Sequence, residues 1–268
     1  MKTLYLSDLD GTLLRSDETL SEYTMDVLNR NTDHLFSIAT ARSISTASEV
    51  LEGIYVSLPM NVHNGTMIVN SLTHERLHYE VLDPSIHQVI DMFIEDGHYP
   101  IVYSFIEGRE RFSYIEKYLS PEQKAFLKTR HNDLRQRPVH TLSELHEGEI
   151  YYVTLIGKKT LHVYLPLLDT YQVIFDKDTY TDSYWLEIMP AHASKAQAAL
   201  RLKDMLGCDR LVVFGDGLND KPLFEVADEA YAMTNGHPAL KEMATAVIPT
   251  NDEDGVAKYL KEVLWHRQ

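Results

Sequence analysis

Two carboxylates that directly follow the first apolar stretch of the chain could carry chemistry. Asp8 and Asp10 come after Leu4–Leu6, a short apolar run typical of a buried strand. Ligands of open α/β sheets bind beyond the carboxyl ends of the strands, so this strand would hold both acids at a candidate site. A magnesium ion, which prefers oxygen ligands, would relieve the repulsion between two such charges. The alternative interpretation is an ordinary polar turn, in which Asp and a residue such as Gly11 are common.

Further polar residues follow other predicted strands and could act together with this pair. Lys195 begins a predicted helix near the same edge of the sheet. Phosphoryl transfer to an aspartate requires a carboxylate nucleophile, a magnesium ion, donors for the phosphoryl oxygens, and an acid or base for the leaving group. The strand ends supply residue types suited to each task. These residues are Asp8, Asp10, Thr12, Thr40, Asp216, Asn219 and Asp220.

The order of the predicted elements favours a parallel sheet with an insertion. The chain begins strand, helix, strand, helix, strand, which predicts parallel strands joined by right-handed crossovers, and the alternation resumes near residue 191. The intervening block begins and ends beside a proline and has its own strands, helices and apolar residues, including a predicted helix over Lys159–Thr170. We therefore predict an α/β fold, with a Rossmann-like parallel-sheet core from residues 1–82 and 191–268 and an inserted α/β domain over residues 83–190.

Composition limits the classes of partner. The chain has 268 residues, a formal net charge of −15 and a single cysteine, Cys208. The negative charge argues against nucleic acid or an anionic membrane surface as a partner, and no apolar stretch approaches the ~20 residues of a membrane span. One cysteine forms no internal disulfide, and the N-terminus lacks the pattern of a signal peptide, so we expect a cytoplasmic protein. Nothing in the sequence implies an obligate protein partner.

Five motifs occur in a fixed order along the chain. They are Asp8-Leu-Asp10-Gly-Thr12, Ile38-Ala-Thr40-Ala-Arg42, Asn64-Gly65, Lys195 and Gly215-Asp216-Gly-Leu-Asn219-Asp220. With these motifs the whole chain resembles the haloacid dehalogenase superfamily, and within it the Cof-type phosphatases that carry a large class IIB cap. The resemblance implies a magnesium-dependent phosphatase that acts through an aspartyl-phosphate, with the inserted domain as the cap.

The resemblance also implies a role for each motif residue. Asp8 would be the nucleophile and a magnesium ligand, and Asp10 would be the general acid/base and would bind magnesium through its backbone carbonyl. Asp216 would complete the metal site. Thr40 and Lys195 would hold the phosphoryl group, and Lys195 would also offset the charge of Asp8. The remaining residues would bind phosphate or support the site: Thr12, Ala41, Arg42 and Asn219 for binding, and Asn64, Gly65 and Asp220 for support.

Two of these positions leave questions open. Ala41 stands where the family commonly has glycine, which leaves the backbone less free there. Arg42 either reaches into the site or forms an ion pair on the surface. The departure at Ala41 removes no catalytic group, so activity is the expectation.

Several functions fit the motifs. The leading hypothesis is a phosphatase for small phosphorylated metabolites, because a cap that closes would exclude bulky substrates and bulk water. Sugar phosphates are the first class of substrate that we expect. A phosphomutase would use the same aspartyl-phosphate but return the phosphoryl group to the substrate. A receiver-type signalling domain also uses acids, a threonine and a lysine, but the inserted block, the second acid and the chain length argue against it. A catalytically silent metabolite sensor has no support, since no catalytic group is missing.

Overall fold

The computed structural model describes residues 1–30, 35–177 and 182–265. The strands, in chain order, are β1 (Thr3–Ser7), β2 (Leu35–Ile38), β3 (Met60–Val62), β4 (Met67–Val69), β5 (Arg76–Tyr79), β6 (Ile101–Ile106), β7 (Arg109–Ile115), β8 (Gln136–Val139), β9 (Glu149–Gly157), β10 (Gln172–Lys177), β11 (Tyr184–Met189), β12 (Arg210–Gly215), β13 (Glu229–Met233) and β14 (Ala246–Ile248). The α-helices are α1 (Glu22–Arg30), α2 (Ile44–Val50), α3 (Ile86–Glu95), α4 (Pro121–Thr129), α5 (Lys195–Met205), α6 (Lys221–Val226), α7 (Pro238–Met243) and α8 (Gly255–Trp265). Shorter turns of helix cover Leu9–Leu13, His63–Gly65, Glu116–Tyr118, Leu142–His146, Lys159–Leu167, Leu218–Asp220 and Asn251–Glu253.

Contacts within the chain divide it into two compact units. The first consists of Met1–Tyr79 and Ser194–Gln268, and the second of Glu80–Ala193. The boundaries of 83 and 190 expected from the sequence fall just inside the second unit. The assignment of the units as catalytic core and cap stays a prediction.

The first unit contains the predicted parallel sheet. Its five strands lie in the order β14-β13-β12-β1-β2, and all neighbouring pairs are parallel. The strands at the centre are apolar on both faces, as burial between two helical layers requires. Leu4, Leu6, Leu211 and Val213 are fully buried in one core with residues of α5 and α6.

The third strand departs from the predicted parallel order. β3 is only three residues long and joins the main sheet through a single parallel bridge between Ala39 and Asn61. It pairs instead with β4, which pairs with β5, in a separate antiparallel sheet. The turn over His63–Gly65 reverses the chain directly after β3, so there is no length for a longer parallel ladder.

The second unit is built on a six-stranded sheet in the order β10-β11-β9-β6-β7-β8. Its pairs are antiparallel except for β7 and β8. Buried residues of α3, the sheet and the turns around it form its own core. The α-helix predicted over Lys159–Thr170 is wrong, because the structure has a 3₁₀-helix over Lys159–Leu167. Pro166 lies inside this segment, has no N–H to donate and is poorly tolerated within an α-helix.

None of the helices formed by the described residues is long and apolar enough to cross a bilayer.

Candidate active site

The first carboxylate is held by the sheet itself. Asp8 directly follows β1, and its backbone N–H donates to the carbonyl of Phe214 on β12 at 3.0 Å. The chain then turns through Gly11, whose φ is +72°, a conformation that side chains rarely adopt. A Cβ at Gly11 would lie 2.3 Å from Oδ2 of Asp216. Glycine is therefore required here both for the turn and for the approach of the second acid.

Lys195 joins the site from the start of α5. The hydroxyl of Ser194 accepts a bond from the N–H of Gln197 and so caps the helix, which places Lys195 in the first turn. Nζ of Lys195 lies 2.8 Å from Oδ1 of Asp8 and 2.7 Å from Oδ1 of Asp220, and its side chain is 1% exposed. Burial opposes the charge, but Asp220 and Asp8 together raise the pKa of Lys195. The lysine is a fixed positive charge beside the nucleophile candidate.

Asp220 uses both oxygens within the protein. Oδ1 accepts from Lys195, and Oδ2 accepts from the backbone N–H groups of Asp216 at 3.1 Å and Gly217 at 3.2 Å. The residue is fully buried. Asp220 thus contacts both Lys195 and the loop that carries Asp216, and its supporting role stays a prediction.

Asp216 and Asp8 have the oxygen atoms that a divalent cation needs. Among the described residues, Asp8, Asp216 and Asp220 form the group whose ligand atoms lie within 4.8 Å of one another. The hydroxyl of Thr12 donates to Oδ1 of Asp216 at 2.8 Å. Because Asp220 is committed to its own hydrogen bonds, the side chains of Asp8 and Asp216 are the oxygen donors that fit magnesium.

The carboxyl groups of Asp8 and Asp216 lie in a buried and strongly anionic environment. Burial raises the pKa of Asp8 well above its usual value; the negative charge of Asp220 adds to the rise, and Lys195 opposes it. Burial likewise raises the pKa of Asp216 to about 6, against the hydrogen bond from Thr12. A bound divalent cation would favour the charged forms of both acids.

Asp10 points to a different partner. Its carboxylate accepts from Arg42 through Nε at 2.9 Å and Nη2 at 2.5 Å, and Nη2 of Arg42 also lies 2.7 Å from Glu18. The side chain of Arg42 is 19% exposed and that of Asp10 is 39% exposed. Arg42 therefore forms ion pairs with Asp10 and Glu18, and its binding of phosphate stays a prediction.

Thr40 lies at the end of the neighbouring strand and is fully buried. Its Oγ1 accepts from the N–H of Arg42 at 3.1 Å, and its carbonyl accepts from the N–H of Asn64 at 3.0 Å. Gly65 has φ +97°, and a Cβ there would lie 2.1 Å from the carbonyl oxygen of Ser194. The Asn64-Gly65 pair therefore lets α5 approach closely and positions both Thr40 and the lysine.

Two predicted residues are in the same loops but on the surface. Ala41 and Asn219 are both exposed, and Asn219 lies within the turn Leu218–Asp220. The sequence analysis did not identify Glu18. This loop residue has φ +64°, and its carboxylate accepts a hydrogen bond from Nη2 of Arg42. The side-chain amide of Asn235 also joins the site and donates to the carbonyl of Gly11 at 2.8 Å.

Comparison with known proteins gives one family. The model of the haloacid dehalogenase-like hydrolases matches residues 5–260. The 5-amino-6-(5-phospho-D-ribitylamino)uracil phosphatase YitU of Bacillus subtilis (strain 168) is 28% identical over 269 residues, covering 95% of each chain. YwtE of the same organism is described as a phosphatase for the same substrate. It is 26% identical to this chain, and the match covers 96% of each of the two chains.

Solved structures share the fold. The crystal structure of TM0651 from Thermotoga maritima has a TM-score of 0.80 at 23% identity and covers 98% of this chain and 97% of its own. BT4131, described as a subclass IIB sugar phosphatase, has a TM-score of 0.76 at 19% identity and covers 98% of this chain and 99% of its own. These likenesses confirm the predicted α/β fold, a parallel-sheet core with an additional sheet domain.

Proposed function

This chain belongs to the haloacid dehalogenase-like hydrolases, and we propose that it is a magnesium-dependent phosphatase that hydrolyses small phosphorylated metabolites through an aspartyl-phosphate. One observation carries the proposal: the buried carboxylate of Asp8 lies 2.8 Å from the buried ammonium of Lys195, within a group of acids able to hold a cation. An anionic nucleophile beside a fixed positive charge suits attack on a negatively charged phosphate ester.

The first step uses Asp8 as nucleophile. One of its oxygens forms a bond to phosphorus while the bond between phosphorus and the ester oxygen of the substrate breaks. The leaving oxygen takes a proton from Asp10. Lys195 favours the ionised form of Asp8 and, with the hydroxyl of Thr40, would bind the phosphoryl oxygens.

The second step returns the enzyme to its starting state. A water molecule attacks the phosphorus of the aspartyl-phosphate and gives its proton to Asp10, inorganic phosphate leaves, and the carboxylate of Asp8 is restored. Two hydrogen bonds from Arg42 orient the carboxylate of Asp10 for this proton transfer. In the first step Asp10 must be protonated, and an incoming phosphate offers Arg42 a second anion to which it can turn.

The residues present fit a magnesium ion. The side chains of Asp8 and Asp216 and the backbone carbonyl of Asp10 would hold it, with waters in the remaining positions. When bound, the ion supplies positive charge that brings the nucleophile and the phosphate together despite their like charges. Asp220 and Thr12 keep the ligand Asp216 in place through the hydrogen bonds described above.

The substrate class rests on the relatives and on the second unit. We propose that residues Glu80–Ala193 act as a cap that selects the leaving group and limits the site to small molecules. YitU and YwtE are described as acting on a phosphorylated ribitylamino-uracil, an ester of a sugar alcohol. Sugar and sugar-alcohol phosphates are therefore the first class to test.

The decisive experiment is a screen of phosphorylated metabolites with magnesium that measures phosphate release. The panel includes hexose and pentose phosphates and 5-amino-6-(5-phospho-D-ribitylamino)uracil. We expect turnover of some members that stops when a chelator removes magnesium. Isomerised sugar phosphate without free phosphate would favour the phosphomutase, and a long-lived phospho-protein without turnover would favour a signalling domain. Full activity in excess chelator would exclude the metal-dependent mechanism.

A further inference from the structure

Two histidines of the second unit face each other outside the carboxylate site. His87 lies in the first turns of α3, and His146 ends the 3₁₀-helix Leu142–His146. Their Nδ1 atoms are 2.9 Å apart, and the rings are tilted by 40° with centroids 5.1 Å apart. Two N–H groups cannot face each other at this distance, so at least one Nδ1 presents a lone pair. Both residues are only partly buried, so ions from solvent can reach them.

A carboxylate fixes one of the two rings. Nε2 of His146 lies 3.2 Å from Oδ1 of Asp91. When Nε2–H donates to this carboxylate, Nδ1 of the same ring carries the lone pair and points at His87. Asp91 follows His87 by four residues on α3, so both lie on one face of the helix. A histidine that binds a metal through one nitrogen and donates its other N–H to a carboxylate is the usual arrangement in metal sites.

We infer that His87 and His146 bind one divalent late transition-metal ion through their Nδ1 atoms, with Asp91 as the outer carboxylate. Imidazole nitrogens suit nickel, copper and zinc, whereas magnesium requires oxygen ligands and belongs to the other site. Nitrogens 2.9 Å apart, each ~2.0–2.1 Å from an ion, subtend roughly 90° at that ion. This angle fits the tetragonal geometry of Ni²⁺ or Cu²⁺ better than the wider tetrahedral angle of Zn²⁺, and water fills the remaining positions.

The protonation states balance without an added reactant. Metal binding needs both Nδ1 atoms free of protons, and His146 meets this requirement when its Nε2–H donates to Asp91. A neutral His87 moves its own proton from Nδ1 to Nε2, so two neutral rings bind the ion with no net release. Protons compete for the same lone pairs, so binding weakens in acid.

The test is calorimetric titration of the full-length protein with Ni²⁺, in millimolar Mg²⁺ so that the carboxylate site is occupied. We expect one saturable nickel site at neutral pH. His87→Gln and His146→Gln should each weaken it at least tenfold, and Asp91→Asn should weaken it about 10–100-fold, as loss of an outer carboxylate does. His162→Gln is the matched control, because His162 is an exposed histidine of the same unit that contacts only the carbonyl of Lys159 in the hydrogen bonds described.

A spectroscopic readout separates the pair from scattered surface histidines. Electron paramagnetic resonance of one equivalent of Cu²⁺ should show two coupled nitrogens in the parent and in His162→Gln, and fewer in His87→Gln and His146→Gln. Circular dichroism verifies that each variant is folded. A parent protein with no saturable site, or a site that survives both histidine substitutions, would overturn the inference and leave the contact as a shared-proton hydrogen bond.

Discussion

The guanidinium of Arg42 forms a two-pronged ion pair with the carboxylate of Asp10, with Nε 2.9 Å from Oδ2 and Nη2 2.5 Å from Oδ1. Glu18 accepts a further bond from Nη2 at 2.7 Å. Burial opposes the charge of Arg42, but the hydrogen bonds to Asp10 and Glu18 raise its pKa, so the guanidinium stays charged. The proposed acid/base is thus held in one direction by a planar group that is itself anchored.

This geometry predicts that Arg42 contributes to activity through its planar shape as well as through its positive charge. Arg42→Ala releases the Asp10 carboxylate, and misplacement of a proton-transfer group costs about 10²-fold in kcat. Arg42→Lys keeps the charge but loses the planar fork, so we expect it to recover only part of this loss. Steady-state phosphate release measures both variants.

The control for Arg42 is Glu18→Gln. This variant loosens the anchor but leaves the contact between Arg42 and Asp10, so kcat should stay within a few-fold of the parent. Parental kcat in Arg42→Ala would show that the ion pair has no part in the chemistry.

Gly11 and Gly108 form a matched pair for testing the metal site. Both have positive φ, +72° and +74°, but a Cβ at Gly11 would lie 2.3 Å from Oδ2 of Asp216, and one at Gly108 would meet nothing within 4 Å. Gly11→Ala must displace the carboxylate, so we expect the magnesium concentration for half-maximal activity to rise about tenfold or more, as for a disturbed metal ligand. Magnesium titration of activity measures the change.

Gly108→Ala introduces only the backbone strain of an alanine with positive φ, because the added Cβ would meet nothing within 4 Å. It should destabilise the protein by about 1–2 kcal/mol, the cost of a left-handed alanine, and leave the magnesium requirement unchanged. An unchanged requirement in Gly11→Ala as well would show that Asp216 is not a ligand.

The carboxylate site could be predicted from the sequence because its residues lie at fixed points of the fold. Asp8, Thr40 and Asp216 each follow an apolar strand, and the carboxyl ends of parallel strands meet at one edge of a sheet. Lys195 could be placed because Ser194 is a recognisable helix cap. These arguments need only strand order and helix starts, which periodicity gives.

Contacts that depend on loop conformation could not be predicted. Glu18 approaches Arg42 because its own φ is +64°, and nothing in its neighbours indicates that value. The length of β3 and the 3₁₀ geometry around Pro166 are also set by local turns that compete with the periodic pattern. The pairing of His87 with His146 joins a helix to a turn some sixty residues later, a distance that no motif specifies.

Glu187 gives the second unit a pH dependence of stability. Burial raises the pKa of Glu187 to about 7, although the hydroxyl of Tyr152 donates to it and partly offsets the shift. The usual pKa of a glutamate is 4.5, so between pH 4.5 and about 7 the folded state binds a proton that the unfolded state has lost. Stability therefore falls as pH rises through this window, and the loss is complete above it.

Glu187→Gln should remove this dependence, because the amide resembles the neutral acid. We expect the variant to match the parent below pH 4.5 and to exceed it by on the order of 1–3 kcal/mol above pH 7. Urea unfolding followed by circular dichroism across pH 4–8 measures it. Tyr152→Phe is the companion variant: it removes the bond that lowers the pKa of Glu187, so the window should extend to higher pH. Parallel stability curves for the parent and Glu187→Gln would contradict the assignment.

The final prediction separates Asp8 from Asp10, since both are carboxylates and loss of either should abolish ordinary turnover. Asp8→Asn removes the attacking oxygen, so no phospho-protein forms on any substrate. Asp10→Asn leaves attack possible but supplies no proton to the leaving oxygen and no base for the water, and such catalysis typically contributes ~10²–10⁴-fold.

An activated substrate distinguishes the two variants. The nitrophenolate released from nitrophenyl phosphate needs little protonation, so Asp10→Asn should regain part of the first step. Because the second step still lacks its base, the aspartyl-phosphate should accumulate. Intact-protein mass after a rapid quench should then show one added phosphoryl group on Asp10→Asn and none on Asp8→Asn. A phosphorylated Asp8→Asn protein, or equal total inactivity of both variants on every substrate without any adduct, would overturn the assignment of nucleophile and acid/base.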